Sequence, residues 1–408
     1  MGKRILLVGL GMQGTAALYD LLMCDAVSSI VVADSRPDLQ TYLQRYASPK
    51  VRGTPLDASD EAGLSRLMRD ADLVVEALPG SFALPLGRLA AECGISLVSS
   101  MYYLNPGEDD QERIESMKRQ IRQLDRVAKE KGITILSEFG LDPGIDLVLA
   151  TRAIQDIGAV EELIMYGAGF PEPNVATNPL HYKFSWSTVG VMKSYHRPAR
   201  IISKGKATTI DATSVFEPAN CHTLTVEGIG SPLECFPNGD SVHYAELFGI
   251  RNSVREMARY TCRYPGHCAF WDIAVKCGFL DEDQLRVGTA TFSPLEFTAA
   301  VLSSRREFQY AEEEEDVVLL RVDARGTRDG KRRQIVHQLI DTRDFKTGFT
   351  AMQRTVGFTL SLGARLILEG KLDKRGLLTP LDVPYDVVIP ALARHNIRVT
   401  REEGPWKA

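Results

Sequence analysis

The chain has 408 residues, of which 44% are hydrophobic, so it is long enough to form two or three domains with buried cores. Its 48 basic and 53 acidic side chains leave a formal net charge of -5 with no basic block, which argues against nucleic acid or an anionic membrane surface as a partner. No apolar run reaches the roughly 18 residues that a membrane span requires. Small molecules are therefore the expected ligands.

The seven cysteines are an odd number and lack the close pairing of a secreted disulfide framework. The spacing of Cys262, His267 and Cys268 also lacks the paired pattern of a structural zinc site. We therefore expect a cytoplasmic protein without a bound metal.

Strands and helices alternate in the structure predicted for the first part of the chain. A buried-strand run at Arg4 to Val8 is followed by glycines, a helical pattern at Thr15 to Met23 and a β-branched run at Ser29 to Ala33. Further strands are predicted at 73–78, 96–98 and 133–136, and further helices at 83–93 and 113–131. This alternation predicts an α/β fold, a doubly wound parallel sheet of the Rossmann type.

After about residue 150 the pattern changes to strand-like runs separated by Gly, Pro, Asn and Asp, which predicts a second, α+β domain on a mixed sheet. Asp329-Gly330 predicts a type I′ hairpin turn between the runs at 317–322 and 334–340. The acidic run at 312–316 is typical of a solvated charge cluster. From Thr350 onward helical spacing returns, with Gly370 placed where a helix would stop.

The segment from Gly9 to Gly14 matches G-x-G-x-x-G between a predicted strand and a predicted helix, as in dinucleotide-binding sites. In that motif the first glycine permits a tight turn, the second lets the pyrophosphate approach the backbone, and the third lets the helix pack on the strand. The cofactor-binding residues predicted from the motif are Gly9, Gly11, Met12, Gln13 and Gly14.

Asp34 ends the second predicted strand, where a carboxylate meets the adenosine ribose hydroxyls. Its charge would repel a 2′-phosphate, which favours NAD, although Arg36 could offset the repulsion and allow NADP. A methyltransferase that binds S-adenosylmethionine is an alternative, since it also uses a glycine turn and an acid after the second strand.

Ligands of a doubly wound sheet lie at the carboxyl ends of its strands. The loops that follow the later predicted strands should therefore border the nicotinamide. Their predicted cofactor-binding residues are Leu78, Pro79, Ser99, Ser100, Leu141 and Pro143.

The segment from Gly140 to Asp146 resembles the G-x-D-P-G motif of the saccharopine dehydrogenase and lysine 6-dehydrogenase family. Segments 184–187, 261–267 and 376–384 are also similar, so the resemblance extends from residue 1 to about residue 400. It implies a dinucleotide-binding domain at 1–145, completed by a C-terminal segment at 350–408. It also implies a substrate-binding domain at 146–349 whose sheet takes part in forming a homodimer.

A dehydrogenase that oxidises the C–N bond of an amino-acid side group needs a neutral amine, a hydride acceptor and a group that handles protons during imine hydrolysis. Asp142 is the first candidate to hold the amine or move a proton, and a helix-capping role is its structural alternative. His267 is the second, because imidazole titrates near neutrality. Tyr102 is a third, with packing against the nicotinamide as its alternative.

The resemblance places the substrate between polar and aromatic residues of the second domain. Arg263 is the candidate clamp for the substrate α-carboxylate, because its planar fork matches that group. Lys183, just ahead of the 184–187 motif, is a candidate to bind a carboxylate or to act as a base. The remaining predicted substrate-binding residues are Ser185, Trp186 and Tyr264.

Three departures bear on the substrate. Saccharopine reductases commonly show Pro-Asn-Arg-Asp-Ser where this protein has Gly239 between Asn238 and Asp240, and histidine where it has Leu147. Lysine 6-dehydrogenases, in turn, usually lack an aspartate at the position of Asp142. We therefore prefer oxidative deamination of L-lysine at its ε position, with saccharopine dehydrogenase as the close alternative. Other members of the family make carboxylated polyamines. A catalytically inactive, nucleotide-sensing protein is the alternative from another class.

Overall fold

The computed structural model describes residues 2–108 and 110–406, which form two compact units. The first unit comprises the residues up to 148 together with 353–396, and the second comprises 149–352 and the residues from 397 onward. Within the described residues, no helix is long and apolar enough to cross a membrane.

The first unit is built on a parallel sheet between helices. Its strands are β1 (Lys3–Val8), β2 (Val27–Asp34), β3 (Val51–Pro55), β4 (Leu73–Glu76), β5 (Leu97–Ser99), β6 (Thr134–Leu136) and, from the C-terminal part, β17 (Gly376–Leu378). Its helices are α1 (Met12–Leu22), α2 (Leu39–Leu43), α3 (Glu61–Arg69), α4 (Ala83–Cys93), α5 (Gln111–Glu130) and α12 (Tyr385–Ala393). The strand order is β17-β6-β5-β4-β1-β2-β3, and every pairing is parallel, which confirms the predicted Rossmann-type sheet.

The second unit is built on a mixed sheet. Its strands are β7 (Ala159–Pro171), β8 (Ala199–Ser203), β9 (Lys206–Ile210), β10 (His222–Leu224), β11 (Leu233–Pro237), β12 (Glu256–Arg263), β15 (Asp316–Arg328), β16 (Lys331–Thr342) and β18 (Val399–Pro405), with a separate hairpin of β13 (Leu285–Val287) and β14 (Ala290–Phe292). Its helices are α7 (Thr188–Tyr195), α8 (Ser241–Leu247), α9 (His267–Lys276) and α10 (Pro294–Ser304). The path β10-β11-β12-β7-β15-β16-β18 contains one parallel pairing, between β12 and β7.

Two further helices contain two of the three points at which the backbone passes from one unit to the other. They are α6 (Ile145–Ile157) and α11 (Ala351–Leu368). In the first unit α11 packs closely on α1, because a Cβ added to Gly357 would lie 2.6 Å from the Cβ of Ala16. Ser361 of α11 also donates a hydrogen bond of 2.5 Å to the buried Asp20 of α1. From the C-terminal part, α11 thus packs on α1, and β17 pairs parallel with β6 at the edge of the first sheet.

The C-terminal part also contributes to the second unit. The sequence predicts that the segment 350–408 completes the dinucleotide-binding domain, and in the structure its last strand, β18, pairs antiparallel with β16 in the mixed sheet. The physical reason is that β16 would otherwise expose a row of unpaired backbone groups, which β18 covers.

The acidic run at 312–316 is solvated only in part, because Glu312 and Glu313 are exposed whereas Asp316 is buried. Glu314 pairs with Lys183, and Asp316 is buried and accepts hydrogen bonds from the backbone N–H groups of Ala351 and Met352 at the start of α11. The hairpin prediction is confirmed. Arg328 pairs with Lys331 across Asp329 and Gly330, and both turn residues have positive φ, at 52° and 72°.

Candidate cofactor and substrate sites

The glycine loop between β1 and α1 has the shape that a pyrophosphate requires. A Cβ on Gly9, whose φ is +94°, would lie 2.7 Å from the carbonyl oxygen of Ala77, and a Cβ on Gly14 would lie 2.1 Å from that of Gly9. Around Gly11, by contrast, a Cβ would meet nothing within 4 Å. Gly9 and Gly14 thus permit close backbone packing, and the absent side chain of Gly11 leaves the start of α1 open to a phosphate.

Asp34, at the end of β2, has both carboxylate oxygens engaged by the backbone. The N–H of Leu10 donates to one oxygen at 2.6 Å, and the N–H of Arg36 donates to the other at 2.8 Å. The guanidinium of Arg36 lies 3.7 Å from the ring centre of Tyr42, and that of Arg45 lies 3.6 Å from the same centre. At such short distances the two guanidinium groups must lie on opposite faces of the ring. Arg36 also forms an ion pair of 2.7 Å with Asp38, so the loop after β2 carries carboxylates as well as cations.

Glu76, at the end of β4, is not among the residues predicted from the sequence. Its side chain is fully buried and accepts two hydrogen bonds. One comes from the hydroxyl of Ser99, and the other, of 2.8 Å, comes from the backbone N–H of Leu78. Burial raises the pKa of this carboxyl from 4.5 to about 7, against the lowering effect of those hydrogen bonds. The sequence does contain a signal, since an acidic residue within an apolar strand run is unusual.

The loop after β6 lies against the loop after β5. A Cβ on Gly140 would come within 3.1 Å of the Cβ of Ser100, and the N–H of Gly140 donates to the carbonyl of Pro143 at 3.1 Å. Leu141 and Pro143 are buried, whereas Asp142 between them is partly exposed. The predicted cofactor residues of the strand ends are thus assembled at one edge of the sheet.

Asp146, which is not among the predicted site residues, makes a backbone contact at the start of α6. Its carboxyl is buried and accepts a hydrogen bond of 2.7 Å from the backbone N–H of Gly144. Burial raises the pKa of this carboxyl to about 8. Tyr102, in the loop after β5, is partly exposed.

In the second unit, Arg263 at the end of β12 lies among hydroxyl groups and aromatic rings. Its side chain is buried and donates three hydrogen bonds. The acceptors are the hydroxyl of Tyr195 at 3.1 Å, the hydroxyl of Tyr182 at 3.5 Å and the carbonyl oxygen of Cys262 at 2.8 Å. Its guanidinium carbon also lies 4.5 Å from the ring centre of Tyr182. Within residues 2–108 and 110–406, no carboxylate forms an ion pair with it.

His267, at the start of α9, belongs to the same cluster through Tyr195, whose hydroxyl lies 2.9 Å from its Nε2. The expectation that it titrates near neutrality is wrong. Burial lowers the pKa of His267 well below 6.5, and the charge of Arg263 lowers it further. His267 is therefore neutral at pH 7.

Two predicted substrate ligands have structural partners instead. The ammonium of Lys183 is buried and lies 2.6 Å and 2.7 Å from the two carboxylate oxygens of Glu314, so an internal anion already neutralises it. The hydroxyl of Tyr264 donates a hydrogen bond of 2.8 Å to the carbonyl oxygen of Pro171. The structure thus gives both residues a role in the internal packing of the unit.

Ser185 and Trp186 lie in the segment before α7. Trp186 packs on the first turn of that helix, because a Cβ on Gly190 would lie 2.5 Å from its indole ring. The hydroxyl of Ser185 is buried and has no hydrogen-bond partner among the described residues, as is also true of the hydroxyl of Tyr310. Unpartnered buried hydroxyls are uncommon, and an ordered water, an ion or a ligand can supply the missing partner.

The predicted residues therefore fall into two groups. The cofactor residues, Asp142 and Tyr102 are in the first unit, and Arg263, His267, Ser185 and Trp186 are in the second. Tyr182 and Tyr195 are not predicted from the sequence, because nothing in their local sequence indicates contact with an arginine 81 or 68 positions away.

Comparison with protein families gives two matches that together span most of the sequence. The saccharopine dehydrogenase NADP binding domain matches residues 5–136, and the saccharopine dehydrogenase C-terminal domain matches residues 140–398. The first match does not support the NAD preference inferred from Asp34, whose carboxylate is held by backbone N–H groups next to Arg36.

Several named proteins are similar over most of this sequence. The mouse mitochondrial alpha-aminoadipic semialdehyde synthase is 27% identical, covering 93% of this protein and 45% of the synthase, and the Arabidopsis thaliana synthase is 28% identical, covering 84% and 37%. The chain thus spans less than half the length of these synthases. The Saccharomyces cerevisiae saccharopine dehydrogenase (NADP(+), L-glutamate-forming) is 25% identical, covering 93% of this protein and 94% of the yeast enzyme.

The fold is also that of a solved structure. Apo saccharopine dehydrogenase (L-Glu forming) from Saccharomyces cerevisiae superposes with a TM-score of 0.82 at 23% identity, covering 99% of this protein and 100% of the yeast enzyme. With both family domains matched in order along its length, the chain belongs to the saccharopine dehydrogenase family.

Proposed function

We propose that this protein is an NADP-dependent saccharopine dehydrogenase that oxidises the secondary amine joining a lysine-like and a glutamate-like half, in the L-glutamate-forming sense. The names of the relatives that it matches almost end to end support this hypothesis. They favour it over ε-deamination of L-lysine, the activity that the sequence alone favours.

The observation that carries the proposal is that the charged side chain of Arg263 is buried. A guanidinium that is buried among tyrosine hydroxyls, without a carboxylate partner in the described part of the protein, requires an anion to offset its desolvation. The carboxylate of an amino-acid substrate is such an anion, and the planar fork of arginine binds it through two hydrogen bonds.

The cofactor proposal rests on the loop after β2. Arg36, held over Tyr42 and paired with Asp38 at 2.7 Å, supplies a guanidinium just after β2, and the backbone N–H groups of Leu10 and Arg36 each donate a hydrogen bond to one oxygen of Asp34. These contacts and the match to an NADP-binding family domain favour NADP over NAD.

The reaction removes a hydride from the carbon next to the nitrogen, and water then hydrolyses the resulting imine to L-glutamate and an aldehyde. Gly9, Gly11 and Gly14 would hold the nicotinamide cofactor, which would supply the hydride acceptor. Asp142, partly exposed between two buried residues after β6, is the proposed proton carrier for the amine. Glu76 stays protonated below about pH 7 and holds Ser99 in place, while Arg263 fixes the substrate carboxylate.

The deciding experiment follows the absorbance of reduced nicotinamide with purified protein, NADP or NAD, and saccharopine, L-lysine or a carboxylated polyamine as substrate. Reduction of NADP by saccharopine, with release of L-glutamate, is the expected result. Reduction with L-lysine and release of ammonia would instead establish the lysine-type activity. Nucleotide binding without turnover of any amine would favour the nucleotide-sensing alternative. A cytoplasmic location and a homodimer remain predictions, and the dimer is checked by solution scattering.

A further inference from the structure

Two cysteines lie directly opposite each other on neighbouring strands of the mixed sheet. Cys235 of β11 pairs with Cys262 of β12 in the antiparallel register. Such cross-strand partners have Cα atoms about 4.5 to 5.5 Å apart, which is within the span of a disulfide. The two Sγ atoms are 3.0 Å apart, and both residues are free, fully buried thiols. The strands therefore hold the two sulfurs where a disulfide can join them without a change in strand pairing.

The two thiols differ in acidity. The hydrogen bond with Cys262 lowers the pKa of Cys235 against the opposing effect of burial, and His222 lowers this pKa further. Burial raises the pKa of Cys262, and the hydrogen bond with Cys235 adds to that effect. Because the thiolate is the nucleophile in cysteine chemistry, Cys235 is the reactive member of the pair, and Cys262 keeps its proton.

His222 connects this pair with the surface of the protein. It lies opposite Cys235 on β10, the end strand of the sheet path, and its ring centre is 4.5 Å from that of Tyr260. Its Nε2 is 3.1 Å from the hydroxyl of Tyr166. All three rings are partly exposed, whereas the two sulfurs beside them are buried. This arrangement favours a small oxidant over a large one.

We propose that Cys235 and Cys262 form a site of reversible oxidation, with hydrogen peroxide as the oxidant. The thiolate of Cys235 attacks one peroxide oxygen and the O–O bond breaks, which gives a sulfenic acid and hydroxide. The hydroxide takes up the proton that Cys235 released to His222 and becomes water.

The thiol of Cys262 then attacks the sulfenic sulfur of Cys235 and closes the disulfide. Its proton leaves with the sulfenic hydroxyl group as a second water. Two thiols are thus oxidised to one disulfide, and one peroxide is reduced to two waters. The site does not depend on the proposed dehydrogenase activity.

The test treats the folded, full-length protein with hydrogen peroxide, unfolds it in iodoacetamide to alkylate the remaining thiols, and digests it with trypsin. A disulfide between Cys235 and Cys262 joins the peptides 207–251 and 260–263. We expect this joined peptide in the oxidised wild type, and its loss after treatment with dithiothreitol. Cys221→Ser should give the same link, which excludes the other cysteine of the first peptide.

The exposed Cys277 reports that the peroxide dose is sufficient. Oxidation of Cys277 while Cys235 and Cys262 are both alkylated would overturn the proposal. A disulfide that joins either of them to a different cysteine would also overturn it. Cys24→Ser, which replaces a buried cysteine of the first unit, is the matched control and should form the disulfide as the wild type does.

Two further variants test the order of the steps. In Cys262→Ser the sulfenic acid of Cys235 has no thiol to resolve it, so dimedone should label Cys235 after peroxide treatment. In Cys235→Ser the thiol of Cys262 should stay unlabelled, because it keeps its proton. Circular dichroism confirms that each variant is folded. Absence of label from Cys235 in folded Cys262→Ser, or equal labelling of Cys262 in Cys235→Ser, would contradict the assigned roles.

Discussion

The carboxylate of Asp34 accepts a hydrogen bond of 2.6 Å from the backbone N–H of Leu10, so the residue expected to contact the ribose also braces the glycine loop. Its other oxygen accepts from the N–H of Arg36. One aspartate thereby fixes both the loop that faces the pyrophosphate and the arginine that we assign to the 2′-phosphate.

The first prediction concerns Arg36 and cofactor choice. Arg36→Gln should raise the KM for NADP about 10- to 100-fold while leaving the KM for NAD within about threefold, because only NADP carries the 2′-phosphate that Arg36 is proposed to bind. Initial rates with each cofactor measure this ratio. Arg4→Gln, which breaks an exposed pair with Asp72, is the control. Equal effects on both cofactors would contradict the assignment.

The second prediction concerns Glu76 and pH. Its folded pKa of about 7 lies above the ordinary 4.5, so its contribution to stability is fully present below pH 4.5 and is lost as the pH rises through 7. Glu76→Gln should therefore match the wild type near pH 5 and become the more stable protein at pH 8, by roughly 3 kcal/mol at most.

Chemical denaturation at several pH values measures the difference. Glu61 on α3 is exposed, so the difference in free energy of unfolding between Glu61→Gln and the wild type should not increase with pH. A constant gap between wild type and Glu76→Gln across this range would show that the buried carboxyl does not titrate there.

The third prediction concerns the pair of Lys183 and Glu314. Lys183 has 6% of its side chain exposed and Glu314 has 21%, so removing the glutamate carboxylate leaves the more deeply buried charge, the ammonium of Lys183, without its ion-pair partner. Glu314→Gln should lower the free energy of unfolding by about 3 kcal/mol, and Lys183→Met by less. The double variant should be more stable than Glu314→Gln alone.

Enzyme kinetics separate this structural role from the substrate-binding role that the sequence suggests for Lys183. Folded Lys183→Met should keep kcat/KM within about threefold of the wild type, since no contact to substrate is lost. A fall of a hundredfold in the folded variant would restore Lys183 as a substrate ligand.

The fourth prediction concerns Arg263. Arg263→Met should lower kcat/KM at least about 100-fold, yet lower the free energy of unfolding by no more than about 1 kcal/mol, because it also removes a buried charge that lacks an internal anion. Tyr195→Phe, which removes one hydroxyl that holds Arg263, should lower kcat/KM less. A large loss of stability without a matching loss of activity would make Arg263 structural.

Some features could be predicted because their cause is local. The glycine loop, the end of β2 at Asp34 and the Asp329-Gly330 turn each depend on backbone conformations that only a few residue types adopt. The long strand β7, in the middle of the mixed sheet, could not be predicted in this way, because its burial follows no strict alternation along the strand.

The sequence by itself thus determined the order of strands and helices in the first unit, the cofactor loop and the family. Only the tertiary structure decided which charged groups are paired. Lys183 meets Glu314 across 131 residues, Arg197 meets Asn238 across 41, and Arg263 meets Tyr195 across 68. Such contacts depend on how distant strands and loops pack, and burial then sets the charge state of a group such as His267, so neither can be inferred from residue type alone.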